Sequence, residues 1–335
     1  MTVPGRRPVT GTAQFTGDDE KGASMNAQSP RVLVVGWPSF IHGEATAGDV
    51  LAMEAVAGEL TGAGVEHEMA WSPVFRPGQL TLEDADPARY SHLVFACGPL
   101  SGPAIEELHQ RFAACRRVAI GVSVIDPADP AAAGFHTILA RDSPGELPTG
   151  DLAGGPRPAL MPVAGVIQVG EQREYSGRGR HQTVSQSLAS WLPGCGCALL
   201  PLETRLDSRD WRLSSTPAEL ESILSRVDLV ITMRMHGLVL ALKHGVPALA
   251  VDPVAAGAKV SAQARAWDWP AVVTPGPGGT VDAGVLDRWR DWCLSEAGRR
   301  TAQRAAESPP SSPVGSLSRA LGLTGKPETR ETRES

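Results

Sequence analysis

No run of this 335-residue sequence approaches the roughly twenty apolar residues that a membrane-crossing helix needs. Cysteine is sparse and odd in number, with five residues at positions 97, 115, 195, 197 and 293. No Cys-x-x-Cys pair stands with histidines at zinc spacing, so neither a disulfide framework nor a structural zinc is implied. Cys195 and Cys197 are the one close pair and read as a turn, with metal or redox use the lesser alternative. Basic residues are not in excess: 31 Lys and Arg stand against 37 Asp and Glu, for a formal charge of −6. That balance lacks the basic field that nucleic-acid binding requires. Arg6 and Arg7 are followed by no apolar segment, so residues 1–30 do not read as a secretory signal. They are rich in Gly, Thr, Ser, Asp and Glu and are expected to be disordered. Met25 is a candidate start of translation, and a cytoplasmic location is the expectation.

What is present is a repeated alternation of buried strands and helices, with room for two domains. The most informative stretch is 227–252. An apolar, β-branched run at its start reads as a buried strand. A polar break follows from Thr232 to Gly237, and Leu238 to Lys243 then suits a helix. Gly245 can end that helix in the left-handed conformation, and Pro247 prevents its return. Ala248 to Val251 reads as the next buried strand. Arg234 and His236 fall where the first strand ends and the helix begins, which is where open α/β sheets bind ligands. The helix start favours an anion. Arg234 adds a planar fork for a carboxylate or phosphate, and His236 adds a group that moves protons near neutral pH. The competing reading makes Arg234 a carbonyl cap and His236 a filler beneath the sheet. At a strand's carboxyl end the functional reading is preferred.

The run from Asp228 through Arg234, His236 and Gly237 to Gly245, Val246 and Pro247 resembles the C-terminal signature of the polysaccharide pyruvyl transferase family. That signature continues with an Asp, here Asp252, and a Lys-Val pair, here Lys259 and Val260. Pro253 to Ala258 place Lys259 further from Asp252 than the family pattern does. In the first half, Arg31 to Trp37 reads as a buried strand ending in glycine. The loop after it is not Gly-x-Gly-x-x-Gly, which disfavours a nicotinamide or flavin cofactor. It ends in Gly48 and Asp49, as the family's glycine-rich loop does, before a helix from about Val50 to Gly62.

Two readings of Asp49 stay open, a cap on that helix and a catalytic carboxylate. Gly98 ends a strand where the family has a triple glycine, and would permit close approach to a ligand. Arg141 ends another strand beside Asp142, either as a second anion clamp or as an ion pair. Glu203 opens a polar cluster at a further strand end. The polar loop 171–180, with Arg173, Arg178 and Arg180, is either a contact for a phosphorylated acceptor or a solvated charge run.

These elements predict a disordered tail over 1–30, a Rossmann-like domain over 31–150, a second over 151–305 bearing the Arg234–His236 motif, and a tail over 306–335. One amphipathic helix is expected over 286–304, crossing between domains. The resemblance implies a GT-B-like α/β fold, with two parallel sheets facing across a cleft. It also implies transfer of a pyruvyl group from phosphoenolpyruvate, as donor substrate, to a saccharide or glycolipid acceptor, forming a ketal with no cofactor and no metal. His236, Arg234 and Asp49 are the implied catalytic residues. Gly237, Arg141, Gly98, Gly48, Glu203 and Lys259 are the implied binding residues. The alternatives are a GT-B glycosyltransferase using a nucleotide sugar and a non-catalytic saccharide-binding relative.

Overall fold

The computed structural model describes residues 30–170, 177–276 and 278–322. The chain divides into two compact units after Arg157. Residues 151–157 therefore go with the first unit, where the carboxylate of Asp151 holds Arg141 at 2.5 Å.

In the first unit the order is β1 (Arg31–Val35), α1 (Ala47–Gly62), β2 (Glu66–Met69), β3 (His92–Ala96), α2 (Pro103–Arg111), β4 (Arg116–Ser123), α3 (Pro130–Ala133) and β5 (Thr137–Asp142). The strands form one sheet in the order β2-β1-β3-β4-β5, and every pairing is parallel. Parallel strands need crossovers packed on the sheet faces, which is why β1 is apolar after Arg31, with Leu33, Val34 and Val35 fully buried. On α2, Ile105 and Leu108 are buried one turn apart, and Phe112 continues the stripe at the cap.

The second unit repeats the pattern. It runs β6 (Val163–Ile167), α4 (His181–Trp191), β7 (Ala198–Pro201), α5 (Pro217–Leu224), β8 (Leu229–Thr232), α6 (Met235–Lys243), β9 (Ala248–Val251), α7 (Lys259–Ala266), β10 (Val272–Val273), α8 (Ala283–Leu294) and α9 (Glu296–Glu307). The sheet order is β10-β9-β8-β6-β7, again parallel. Counted from its own first strand, each sheet has the order 2-1-3-4-5, a doubly wound topology. The expected α/β architecture of two Rossmann-like units is thus present. The helices reverse sides beside β1 and β3 in one unit and beside β6 and β8 in the other. Those are the points where such sheets open a crevice at their carboxyl ends.

The single helix expected over 286–304 is two. Ser295 breaks it, its hydroxyl donating to the Trp292 carbonyl (2.6 Å) and accepting the Gly298 N–H (3.2 Å). A Cβ at Gly298 would collide with that same carbonyl, so the tight turn requires glycine there. Leu286 and Cys293 of α8 and Ala302 of α9 all enter the second unit's own core. Residues 313–320, within the expected C-terminal tail, form a 3-10 turn and one helical turn that are exposed throughout. Residues 1–29, 323–335 and Arg173 of the polar loop lie outside the described residues. Among the described residues no helix is long and apolar enough to cross a membrane.

The loop from Pro253 to Ala258 is organised by Asp252, which is 1% exposed. Its carboxylate accepts the N–H groups of Val254 (3.1 Å), Ala258 (2.6 Å) and Ser261 (2.9 Å) and the Ser261 hydroxyl (2.8 Å). It thereby caps α7 from a distance and sets Lys259 as that helix's first residue. Asp252→Ala should strand these donors and lower unfolding stability by about 2–4 kcal/mol. Ser261→Ala should cost about 1 kcal/mol. Urea unfolding of both variants checks this, and equal losses would contradict the assignment.

Candidate functional site

The second unit's crevice is shaped by Thr232, the last residue of β8, which is fully buried. Its hydroxyl oxygen accepts the Arg234 N–H (2.9 Å) and donates to the Arg234 carbonyl (3.0 Å). That local clasp holds Arg234 extended, at φ −102° and ψ 134°, as the N-cap of α6. The helix therefore begins at Met235 instead of Leu238, and His236 falls in its first turn. The Arg234 side chain makes no capping bond, so among the described residues the first-turn N–H groups of α6 have no intrahelical acceptor and no capping oxygen. Gly237, expected as a binding residue, has a packing reason as well. A Cβ there would collide with Thr232 Oγ1 and come within 3.0 Å of Ile167 Cδ1.

The Arg234 side chain meets Glu203, with Nη2 3.3 Å from Oε1. Glu203 is itself fixed, because Oε1 accepts the N–H groups of Thr204 (2.8 Å) and Arg205 (3.1 Å). β6 lies between β7 and β8 in the sheet, so this pair spans the carboxyl end of β6. The partners are 30% and 24% exposed. A pair that open to water contributes at most about 1 kcal/mol, so an incoming anion can replace it. Arg234 Nε is buried with no hydrogen-bond partner among the described residues. His236 is exposed and carries no hydrogen bond among the described residues, so it is not a filler beneath the sheet. Lys259 is half-buried at the start of α7, after the next strand along.

In the first unit the expected residues sit differently. Helix α1 starts at Ala47, and its cap is Thr46, not Asp49. Thr46 Oγ1 accepts the Asp49 N–H (3.2 Å) and donates to Asp49 Oδ2 (2.6 Å). Asp49 is the carboxylate of the first turn. Gly48 is unconstrained, since a Cβ there would make only an ordinary 3.7 Å contact with Thr46 Oγ1. Gly98 does adopt a left-handed φ of 80°, but its missing side chain leaves no ligand space. A Cβ would strike the Trp37 indole, which fills the position. Cys97 before it is also left-handed, at φ 67°. Burial, and to a lesser degree the nearby Asp49 carboxylate, push its thiol up and keep it protonated. Trp37 and Cys97 were not singled out from the sequence; their signal is position, each at a strand's carboxyl end.

Arg141 is not an open anion clamp. Nε meets Asp142 (2.7 Å), Nη1 meets Asp151 (2.5 Å) and Nη2 donates to the Ser123 hydroxyl (2.6 Å). The structure thus brings Arg234, Glu203, His236 and Gly237 together in one unit and Asp49 near Gly98 in the other. Arg141 is tied to its own chain.

The model of the polysaccharide pyruvyl transferase family matches residues 198–253. This stretch contains Glu203, Arg234, His236 and Gly237, so the resemblance is found where the motif lies, in a family of saccharide-modifying transferases. No curated protein matches the chain. Among solved structures, the spinosyn rhamnosyltransferase SpnG complexed with thymidine diphosphate is similar at 14% identity and a TM-score of 0.34, covering 87% of this chain and 100% of its own. The spinosyn forosaminyltransferase SpnP is similar at 14% and 0.34, with coverages of 88% and 99%. A UDP-glucosyltransferase from Polygonum tinctorium is similar at 14% and 0.31, with coverages of 89% and 98%. Likeness at this level assigns neither donor nor acceptor.

The arginine network has a pH signature. Arg141 and then Ser123 hold the Asp142 carboxyl below the usual range. The Ala153 N–H and then Arg141 do the same for Asp151. Both groups ionise more readily folded than unfolded, so their contribution is complete above the unfolded aspartate value of about 3.9 and drains away as pH falls below it. Arg141→Ala should therefore melt at a lower temperature than the parent near neutrality, with the gap closing towards about pH 2.5. A gap that stays constant across that range would make the role of Arg141 one of packing.

Proposed function

We propose that this chain transfers a pyruvyl group from phosphoenolpyruvate to a saccharide, forming a ketal. The observation that carries this reading is the Arg234 guanidinium. Its buried Nε is unpartnered among the described residues and its contact with Glu203 is loose. It stands at the uncapped start of α6 beside exposed His236, within the stretch that matches the pyruvyl transferase family. Phosphoenolpyruvate carries a carboxylate and a phosphate, the anions that a guanidinium fork and a helix start bind well.

The reaction adds a proton to the donor's vinyl carbon and bonds an acceptor hydroxyl oxygen to its neighbour. A second hydroxyl then displaces phosphate from that same carbon. Of the two hydroxyl protons, one balances the proton gained by the vinyl carbon and one departs with the phosphate. His236 is assigned the acid that protonates the vinyl carbon, because it is the exposed imidazole next to the anion clamp. Asp49 is the candidate base for the acceptor hydroxyl. Arg234 and the α6 N–H groups hold the donor and stabilise the charge on the departing phosphate.

Incubation of the chain with phosphoenolpyruvate and a panel of saccharides, read by phosphate release and the mass of the ketal product, tests the reaction directly. Turnover with a nucleotide sugar instead would establish the glycosyltransferase alternative. Stabilisation by saccharide with no turnover of either donor would establish a binding protein. His236→Asn should reduce turnover by roughly a hundred- to ten-thousand-fold while donor binding persists. Arg234→Lys should weaken donor binding by roughly tenfold, since a point charge does not reproduce the fork. Proportional loss of binding and rate in His236→Asn would make that residue an anchor. Asp49→Asn with full turnover would remove it from the mechanism.

A further inference from the structure

The first unit contains a cavity of about 460 Å³ that the proposed reaction does not use. It lies between the loop after β1, the loop around Thr81 and helix α2. Phe40, Ile41, Leu82 and Leu108 give it an apolar lining, while Glu83, Asp84 and Glu107 stand at its rim with one cation, Arg111. Its size falls within the roughly 300–1,000 Å³ of small-molecule sites.

The walls are held before any ligand arrives. Ser39 Oγ donates to the Ala70 carbonyl (2.6 Å) and accepts the Gly36 N–H (3.0 Å), fixing the loop after β1. The Phe40 ring is wedged against Trp37 and Phe95, at centroid distances of 5.6 and 6.4 Å. On the opposite wall, Asp84 closes a turn with Thr81 (2.6 Å).

The rim charges are unbalanced. Arg111 Nη2 is directed to the carbonyls of Glu83 (2.8 Å) and Ala85 (3.1 Å), tying the loop to α2. Among the described residues, no cation lies within ion-pair distance of the Glu83 or Glu107 carboxylates. An apolar floor beneath two uncompensated carboxylates favours a ligand with an apolar body and a positive end, and an aromatic wall supports the same charge.

We propose that this cavity binds a small amphipathic amine, an apolar body about one ring across that bears an ammonium group. The rim repels a trianion such as phosphoenolpyruvate, so the amine is a different molecule from the donor. The binding does not depend on the pyruvyl transfer reading.

Ligand-observed NMR on the full chain with benzylamine, benzyl alcohol and benzoate separates these outcomes. Saturable binding in that order of strength is expected, with phosphoenolpyruvate failing to displace the amine. Ala104→Phe, which fills the cavity, should abolish binding of both the amine and the alcohol. Glu83→Gln with Glu107→Gln, on the exposed rim, should cut the amine's advantage over the alcohol by up to roughly fivefold and leave the alcohol unchanged. Benzoate binding as well as benzylamine, or an amine advantage that survives the double substitution, would overturn the proposal.

Discussion

A Cβ at residue 237 would run into Thr232 Oγ1, so α6 can begin as close to the end of β8 as it does only because Gly237 has no side chain. Several features of the second unit depend on that approach. The buried Thr232 hydroxyl reaches both the N–H and the carbonyl of Arg234, which holds the residue extended at the moment the chain turns into the helix. An extended N-cap directs the Arg234 side chain away from the helix axis, towards Glu203 at the end of β7. The same early start places His236 in the first turn. A helix beginning at Leu238 would leave Arg234 and His236 in a free loop, with no helix end beside them to favour an anion.

The two sheets share one strand order, yet their crevices are occupied differently. In the first unit the Trp37 indole takes the space beside Gly98, the Cys97 thiol is buried and protonated, and Arg141 has each of its nitrogens engaged by its own chain. In the second unit, among the described residues, the corresponding strand end leaves a guanidinium nitrogen unpartnered and a helix start uncapped. Topology places a crevice in both, but the residues decide what each can hold.

The strand–helix–strand core of that unit was legible because its signals are local. Apolar runs marked β8 and β9, and Gly245, at φ 69°, ended α6 where the glycine stood. Helix starts were read three residues late in both α1 and α6. Arg234 is not a residue that favours an N-cap, and its extended geometry comes from Thr232, whose part shows only in three dimensions. At α1 the first-turn acid Asp49 was visible, while Thr46, which caps the helix, passed as loop. Longer-range contacts left no trace. Asp142 beside Arg141 could be weighed as a partner, but Ser123 on the neighbouring strand and Asp151 beyond the turn could not. Gly98 looked like room for a ligand because nothing in the chain says that Trp37, 61 positions earlier, fills it.

Charge divides the two units' candidate ligands more sharply than shape does. Arg234 and the first turn of α6 present positive charge, and Glu203 is a partner weak enough to be displaced. The cavity in the first unit selects the opposite sign, because Arg111 is drawn to backbone carbonyls and leaves the acids uncovered. Under the two proposals this opposition keeps each ligand out of the other's site. A misplaced donor meets like charge at the cavity rim, and a misplaced amine meets the Arg234 guanidinium. A single basic field would bind the donor everywhere and sort nothing.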